Sequence, residues 1–77
     1  MATVRYFAAA EEAAGLAEER RPEPTLEALR AALALERPGL GGLLPRCAVL
    51  VDGVRADDDV PLGEASLVDV LPPFAGG

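Results

Sequence analysis

Residues 25–36, TLEALRAALALE, decide the fold. Leucines at positions 26, 29 and 33 fall on one face of a helix with 3.6 residues per turn. Thr25 can cap the first turn with its hydroxyl, and Glu27 places a negative charge where the helix dipole favours one. The pattern predicts one amphipathic helix whose leucine face packs against the rest of the protein.

The residues before this helix predict a strand, a short helix and a second strand. Residues 3–8, TVRYFA, alternate as a strand does, with Val4 and Tyr6 on one face. Arg5 and Phe7 fall on the other face. Residues 8–15, AAAEEAAG, predict one or two helical turns that end at a glycine. Residues 17–21 predict a charged strand at a sheet edge, which the prolines at 22 and 24 end.

The residues after this helix predict a loop, a hairpin and a last strand. Prolines and glycines over residues 38–45 predict the loop. Residues 47–51, CAVLV, are apolar throughout, as expected in the middle of a sheet, and Asp52-Gly53 predicts a tight hairpin turn. Residues 66–71 predict the last strand, with Val68 and Val70 inward. Leu67, Asp69 and Leu71 then point outward.

This order predicts an α+β fold, a sheet of four to five strands with one main helix packed across one face. One helix cannot cover both faces of a sheet. Four outward apolar side chains would then form an open patch on the second face, at Phe7, Leu50, Leu67 and Leu71. A patch of this kind usually binds a partner.

Length and composition fit a single domain over residues 1–77. Apolar residues make up 51% and charged residues 26% of the 77 residues, as in globular proteins. The net charge of −6 disfavours nucleic acid and membrane surfaces as partners. The lone Cys47 and a start, MATVRYF, without a leader pattern predict a cytoplasmic protein. The absence of asparagine and glutamine fits a heat-adapted source, although a GC-rich genome would have the same effect.

Conventional catalytic or metal sites are not predicted. The chain has no histidine, which removes the commonest acid–base group and metal ligand. Residues 57–59, three consecutive aspartates, favour a solvated turn over a cation site because neighbouring side chains diverge. Cys47 could carry a persulfide, but its apolar strand favours a packing role. Glu11 and Glu12 likewise favour a solvated helix face over a carboxylate pair. We therefore expect no metal site and no catalysis by the chain alone.

The carboxyl end, PPFAGG, predicts a reactive tail over residues 72–77. A chance ending in two glycines would occur about once in two hundred chains at average glycine usage. Pro72 and Pro73 stiffen the exit from the last strand, while Gly76 and Gly77 keep the tip free of side chains. Such a flexible arm can enter a narrow active site. The carboxylate at Gly77 is unreactive toward nucleophiles when ionised, so another enzyme must activate it.

Four segments together resemble a known family: VRYFAAAEEAAG (4–15), PTLEALRAAL (24–33), CAVLVDGV (47–54) and VLPPFAGG (70–77). They resemble the MoaD family, the small subunits of molybdopterin synthase among the ubiquitin-like β-grasp sulfur carriers. The resemblance implies a β-grasp fold with a mixed sheet. It covers nearly the whole chain, and its most specific parts are YFA at residues 6–8 and the double proline before the two glycines. The chain departs from the family pattern at Glu11, at Glu64-Ala65-Ser66 and at Phe74.

The resemblance implies that Gly77 is adenylated by a MoeB-type enzyme, which uses ATP and magnesium, and becomes a thiocarboxylate. The thiocarboxylate at Gly77, which follows Gly76, would then donate its sulfur to cyclic pyranopterin monophosphate to form the molybdopterin dithiolene. The chain would itself bind no cofactor, and a MoaE-type large subunit would complete a hetero-tetramer. The family also implies partner contacts at Phe7 and along the tail at Pro73, Phe74 and Ala75.

Three alternatives remain open. The same tail chemistry serves sulfur carriers for thiamine synthesis and for tRNA thiolation. A ubiquitin-like modifier of lysines ends the same way, although this chain has no lysine with which to build chains of itself. An interaction module with an unused tail is the third alternative.

Overall fold

The computed structural model describes residues 1–73 as a five-stranded sheet with helices packed on one face. The strands lie in the order β2-β1-β5-β3-β4. The central pair, β1 and β5, is parallel, and every other pair is antiparallel. This is the mixed sheet that the sequence and its resemblance predict. The strands are β1 (Ala2–Tyr6), β2 (Glu18–Arg21), β3 (Ala48–Val51), β4 (Val54–Arg55) and β5 (Leu67–Leu71).

Three α-helices and one 3₁₀ turn connect these strands. They are α1 (Ala9–Ala14), α2 (Leu26–Glu36), α3 (Pro38–Leu43) and the turn Leu44–Arg46. The longest, α2, is the helix that residues 25–36 predict. Its cap is also confirmed, because the Thr25 hydroxyl accepts a hydrogen bond of 3.1 Å from the Ala28 amide. The carboxylate of Asp59 adds a second contact, 2.8 Å from the Glu27 amide.

The loop predicted over residues 38–45 is wrong, since α3 and the 3₁₀ turn occupy this segment. Leu40 and Leu44 are buried here and contribute to the core. Gly41 permits the contact between α2 and α3, because a Cβ at this position would lie 2.9 Å from the Ala34 Cα. Burial and close helix packing therefore outweigh the weak helical tendency of three glycines.

The core lies between the inner face of the sheet and the helices, and it is almost wholly aliphatic. The sheet contributes Val4, Tyr6, Val49, Val68 and Val70. The leucines predicted to share one face of α2, at 26, 29 and 33, are each 1% exposed. The alternation predicted for the first and last strands is thus confirmed for the inward residues.

The hairpin between β3 and β4 turns at Asp52-Gly53, as predicted. Both residues have positive φ, 52° and 82°, which is the conformation of a type I′ turn. The Asp52 carboxylate also accepts a hydrogen bond of 2.9 Å from the Leu67 amide, which links the turn to the start of β5.

A cluster of ion pairs ties the edge strand β2 to the end of α2. Arg21, only 8% exposed, donates two hydrogen bonds to Glu23, both 3.0 Å, and two to Glu36, at 2.9 and 2.7 Å. Arg37 donates two to Glu19, at 2.6 and 3.1 Å. The hydrogen bonds that Arg21 donates to Glu36 and Glu23 hold its pKa above its ordinary value. The predicted edge strand is confirmed, and the side chain of Arg21 is buried in ion pairs instead of exposed to solvent.

Candidate functional site

The tail leaves the sheet from the end of its central strand. Leu71, the last residue of β5, lies opposite Ala48 of β3, and Pro72 and Pro73 follow directly. Because β5 is paired on both sides, the sheet fixes the point and direction of the exit. The predicted tail residues Phe74, Ala75, Gly76 and Gly77 lie outside the described residues.

A groove of about 700 Å³ opens at this exit. Apolar side chains from three segments line it: Phe7, Ala8, Ala9, Ala48, Leu71, Pro72 and Pro73. The charged residues in its lining are Arg46, from the 3₁₀ turn, and Arg55, from β4. The ring of Phe7, 37% exposed, stands at the end of β1, where its amide donates a hydrogen bond of 3.2 Å to the Val70 carbonyl. The site is therefore an apolar groove with two arginines in its lining.

The outward patch predicted from the sequence is divided by an ion pair. The register places Arg5, Asp69 and Leu50 in one row across the outer face. The Arg5 guanidinium donates two hydrogen bonds to the Asp69 carboxylate, at 2.7 and 3.0 Å, and the pKa of Arg5 rises as a result. Strand alternation predicts the outer face for Asp69, but its 8% exposure reflects this pairing.

Phe7, Leu71 and Pro73, three of the predicted partner residues, meet in the groove. Leu50 and Leu67 do not line it. Both are partly buried on the same face: Leu50 lies beside Asp69, in the row of the ion pair, and Leu67 lies two residues before Asp69 on β5. The expectation of one continuous apolar surface is therefore wrong, because β5 alternates leucine, aspartate and leucine on its outer side.

The two arginines of the groove, Arg46 and Arg55, were not predicted as site residues. Arg55 could have been found from the hairpin, since the turn at Asp52-Gly53 sets it opposite the outward Leu50. Arg46 could not, because it lies between the loop predicted over residues 38–45 and the strand predicted from residue 47, at the end of a 3₁₀ turn that was not predicted. A third arginine, Arg5, lies near the Phe7 ring, with its Cζ 5.7 Å from the ring centre.

The other candidate residues, at 11, 12, 47 and 57–59, do not line the groove. Asp57 pairs with Arg55 at 3.0 Å, and Asp59 caps α2. Burial raises the pKa of the Cys47 thiol, whose Sγ lies 3.4 Å from the Leu43 carbonyl as a weak donor, so the unreactive thiol form prevails at neutral pH. Glu11 and Glu12 are both exposed.

Within residues 1–73, no group of three or more potential ligand side chains is arranged to hold a metal ion. In the same part of the chain, no helix has the length and apolar character needed to cross a membrane.

Comparison with known proteins places this geometry in a family. Residues 4–77 match the ThiS family. No curated protein sequence matches the chain significantly.

Three solved structures share the fold over nearly the whole chain. A chain in the complex of subunits 1 and 2 of the molybdopterin-converting factor from Helicobacter pylori is 28% identical, with a TM-score of 0.75 over 99% of this chain and 97% of the other. SAMP1 from Haloferax volcanii is 22% identical, with a TM-score of 0.84 over 99% and 98%. A Pyrococcus furiosus protein named for subunit 1 of molybdopterin converting factor is 23% identical, with a TM-score of 0.80 over 95% and 97%. The architecture is thus the ubiquitin-like β-grasp.

Proposed function

Because the chain belongs to the ThiS family of ubiquitin-like sulfur carriers, we propose that it is the small, sulfur-donating subunit of a molybdopterin synthase. The observation that carries the proposal is the family match, which runs through residue 77 and so includes Gly76 and Gly77. The double proline before these glycines favours the molybdopterin pathway over its relatives. The similarity to a chain of the Helicobacter pylori factor supports the same choice.

The chemistry would take place at the carboxylate of Gly77. A carboxylate is a poor acyl donor, because its leaving group would be an oxide. A MoeB-type enzyme with ATP and magnesium would form the acyl adenylate and release pyrophosphate. A persulfide donor would then attack the adenylate and displace AMP, which is a good leaving group, to form an acyl disulfide. A second thiol, on the donor or on the activating enzyme, would cleave the S–S bond, which releases the thiocarboxylate and leaves a disulfide between the two thiols. The thiocarboxylate is a soft nucleophile at neutral pH, which the carboxylate is not.

The described residues would serve this reaction by presenting the tail. β5 holds the exit at the centre of the sheet, and Pro72 and Pro73 restrict its direction. Arg5 and Asp69 rigidify the outer face beneath it. The chain itself would supply neither a general base nor a metal ion, so catalysis would belong to its partners.

The partner would be a MoaE-type large subunit in a hetero-tetramer. We expect it to contact the groove at Phe7, Leu71 and Pro73 and to receive the tail residues from Phe74 and Ala75 onward. Leu50 and Leu67 would contribute farther along the same face. A complex of subunits 1 and 2 is known for the Helicobacter pylori relative, which supports this arrangement.

A genetic test would separate the carrier from a simple interaction module. In cells that lack the gene for this chain, expression of the full chain in the cytoplasm should restore molybdenum cofactor synthesis, measured as molybdoenzyme activity. The variant without Gly77 should fail to restore it, while its thermal unfolding stays unchanged. Gly63→Ala is the matched control, because no atom lies within 4 Å of the added Cβ. Cofactor synthesis with the truncated chain would refute the mechanism.

The alternative is a sulfur carrier for thiamine or tRNA thiolation, or a ubiquitin-like modifier of lysines. The ThiS family match supports a sulfur carrier but does not distinguish between the pathways. The tail chemistry is shared, so the acceptor distinguishes these functions. A thiocarboxylated chain that transfers sulfur to cyclic pyranopterin monophosphate in the presence of a MoaE-type subunit supports the proposal. Transfer only to another acceptor, or an isopeptide bond to lysine, supports the alternative.

A further inference from the structure

The groove at the tail exit differs in charge from the rest of the molecule. The chain has 13 acidic and 7 basic residues, a net charge of −6. Within residues 1–73, however, the groove lining has no carboxylate, and Arg46 and Arg55 are its charged members. An acidic protein thus presents a locally positive border at the apolar surface from which its tail emerges.

Neither arginine has a structural role that would account for its position. Arg46 is exposed and forms no ion pair within the described part of the chain. Arg55 pairs with Asp57, but the two side chains are 65% and 75% exposed, and exposed pairs of this kind add little stability. Arg5, Arg21 and Arg37 differ, because each binds a carboxylate that is mostly buried.

We propose that the groove is a docking site for an acidic surface of a partner protein. An apolar ridge on that surface fills the groove, and carboxylates on either side of the ridge pair with Arg46 and Arg55. The proposal rests on the proposed function only for the choice of partner, since the protein that receives the tail must cover its exit. Phe7, Leu71 and Pro73 supply the apolar contact. The two guanidinium groups select the charge and the orientation of the ridge.

Screening and desolvation favour this arrangement despite the negative net charge. At physiological ionic strength the Debye length is about 8 Å, so an approaching carboxylate responds mainly to the nearest arginines. When the ridge excludes water from the groove, each arginine–carboxylate pair strengthens and becomes directional, because guanidinium binds carboxylate through two parallel hydrogen bonds. The acidic residues elsewhere on the surface repel an acidic partner that approaches in another orientation.

The test measures binding of the full chain to two purified probes, the MoaE-type subunit and the MoeB-type enzyme from the same genome. Isothermal titration at low and high salt compares the wild type with the double variant Arg46→Glu, Arg55→Glu. Arg20→Glu, R20E, is the control, because Arg20 lies on β2 at the opposite edge of the sheet and is 57% exposed. Thermal unfolding verifies that every variant is folded. Both groove arginines are exposed, so their replacement should leave the fold intact.

We expect the double variant to bind at least one probe about 10- to 100-fold more weakly. Added salt should weaken binding of the wild type but not of the double variant, because salt screens the new repulsion between the glutamates and the partner's carboxylates. R20E should stay within about threefold of the wild type. Binding by the double variant that equals that of R20E would overturn the acidic ridge but leave the proposed function intact. If neither probe bound the wild type, both proposals would fall. A wild-type chain that dimerises through the groove, and becomes monomeric only in the double variant, would place a second copy there and also overturn the inference.

Discussion

Replacement of Arg21 by methionine should cause the largest loss of stability among single substitutions of the chain's arginines. Arg21 is 8% exposed and lies between two carboxylates, with two hydrogen bonds to Glu23 and two to Glu36. A third carboxylate, that of Glu19, lies 3.9 Å away. Methionine fills much of the same volume but carries no charge, so the substitution leaves the carboxylates of Glu23 and Glu36 without their hydrogen-bond partner.

The structure sets the expected size of this loss. Removal of one partner from a buried ion pair costs about 3–5 kcal/mol, because the remaining charge stays desolvated. Glu23 is nearly buried, but the side chain of Glu36 is 48% exposed and can turn toward water. Glu19 keeps its bonds to Arg37. We therefore expect a loss near the lower end, about 3 kcal/mol, or roughly 12–24 °C in Tm for a domain of this size.

Urea and thermal unfolding, followed by circular dichroism, measure this loss. Arg55→Met is the matched control, because its pair with Asp57 is exposed and should contribute less than about 1 kcal/mol. A second variant, with Glu23→Gln and Glu36→Gln added to Arg21→Met, removes the stranded charges and should recover part of the stability. A loss below about 1 kcal/mol, or no recovery in the triple variant, would refute the reasoning.

Two further predictions concern the scaffold. Hydrogen bonds from arginines lower the pKa of Glu19 and Glu36, so the stability that they contribute is present above the ordinary glutamate pKa of about 4.3 and is lost as pH falls through their lowered values. Urea titrations at decreasing pH should show this loss, and a free energy of unfolding that is flat below pH 4.3 would contradict it. Gly41→Ala should destabilise by about 1–3 kcal/mol because its Cβ would meet the Ala34 backbone, whereas Gly42→Ala in the same helix meets nothing and should be neutral or stabilising. Equal Tm values for these two alanine variants would show that the close approach of α2 and α3 is unimportant.

Local patterns in the sequence predicted most of the fold. The leucines of α2, its Thr25 cap and the turn at Asp52-Gly53 depend on residues near one another in the chain, and all three are confirmed. The segment that contains Gly41 was mispredicted for the opposite reason. Its helix is stabilised by burial of Leu40 and by contact with α2, which no local propensity reports.

The site was predictable only where strand alternation decides the outcome. Phe7 and Leu71 follow from that alternation, and both line the groove. The interruption of the patch by Asp69 could have been read from the same pattern, but its pairing with Arg5 needed the parallel register of β1 and β5. Arg46 reaches the groove through a turn whose position depends on tertiary packing. The internal pairing of Arg21 likewise depends on where α2 ends.

The intact mass of the chain tests the central claim most directly. The chain is incubated with a MoeB-type enzyme, magnesium ATP and a sulfur donor, beside the variant that lacks Gly77. We predict a mass gain equal to the replacement of one oxygen by sulfur, in the full chain only. An unchanged mass, with the same enzyme active on another carrier, would contradict the account, and so would an equal gain in the variant without Gly77.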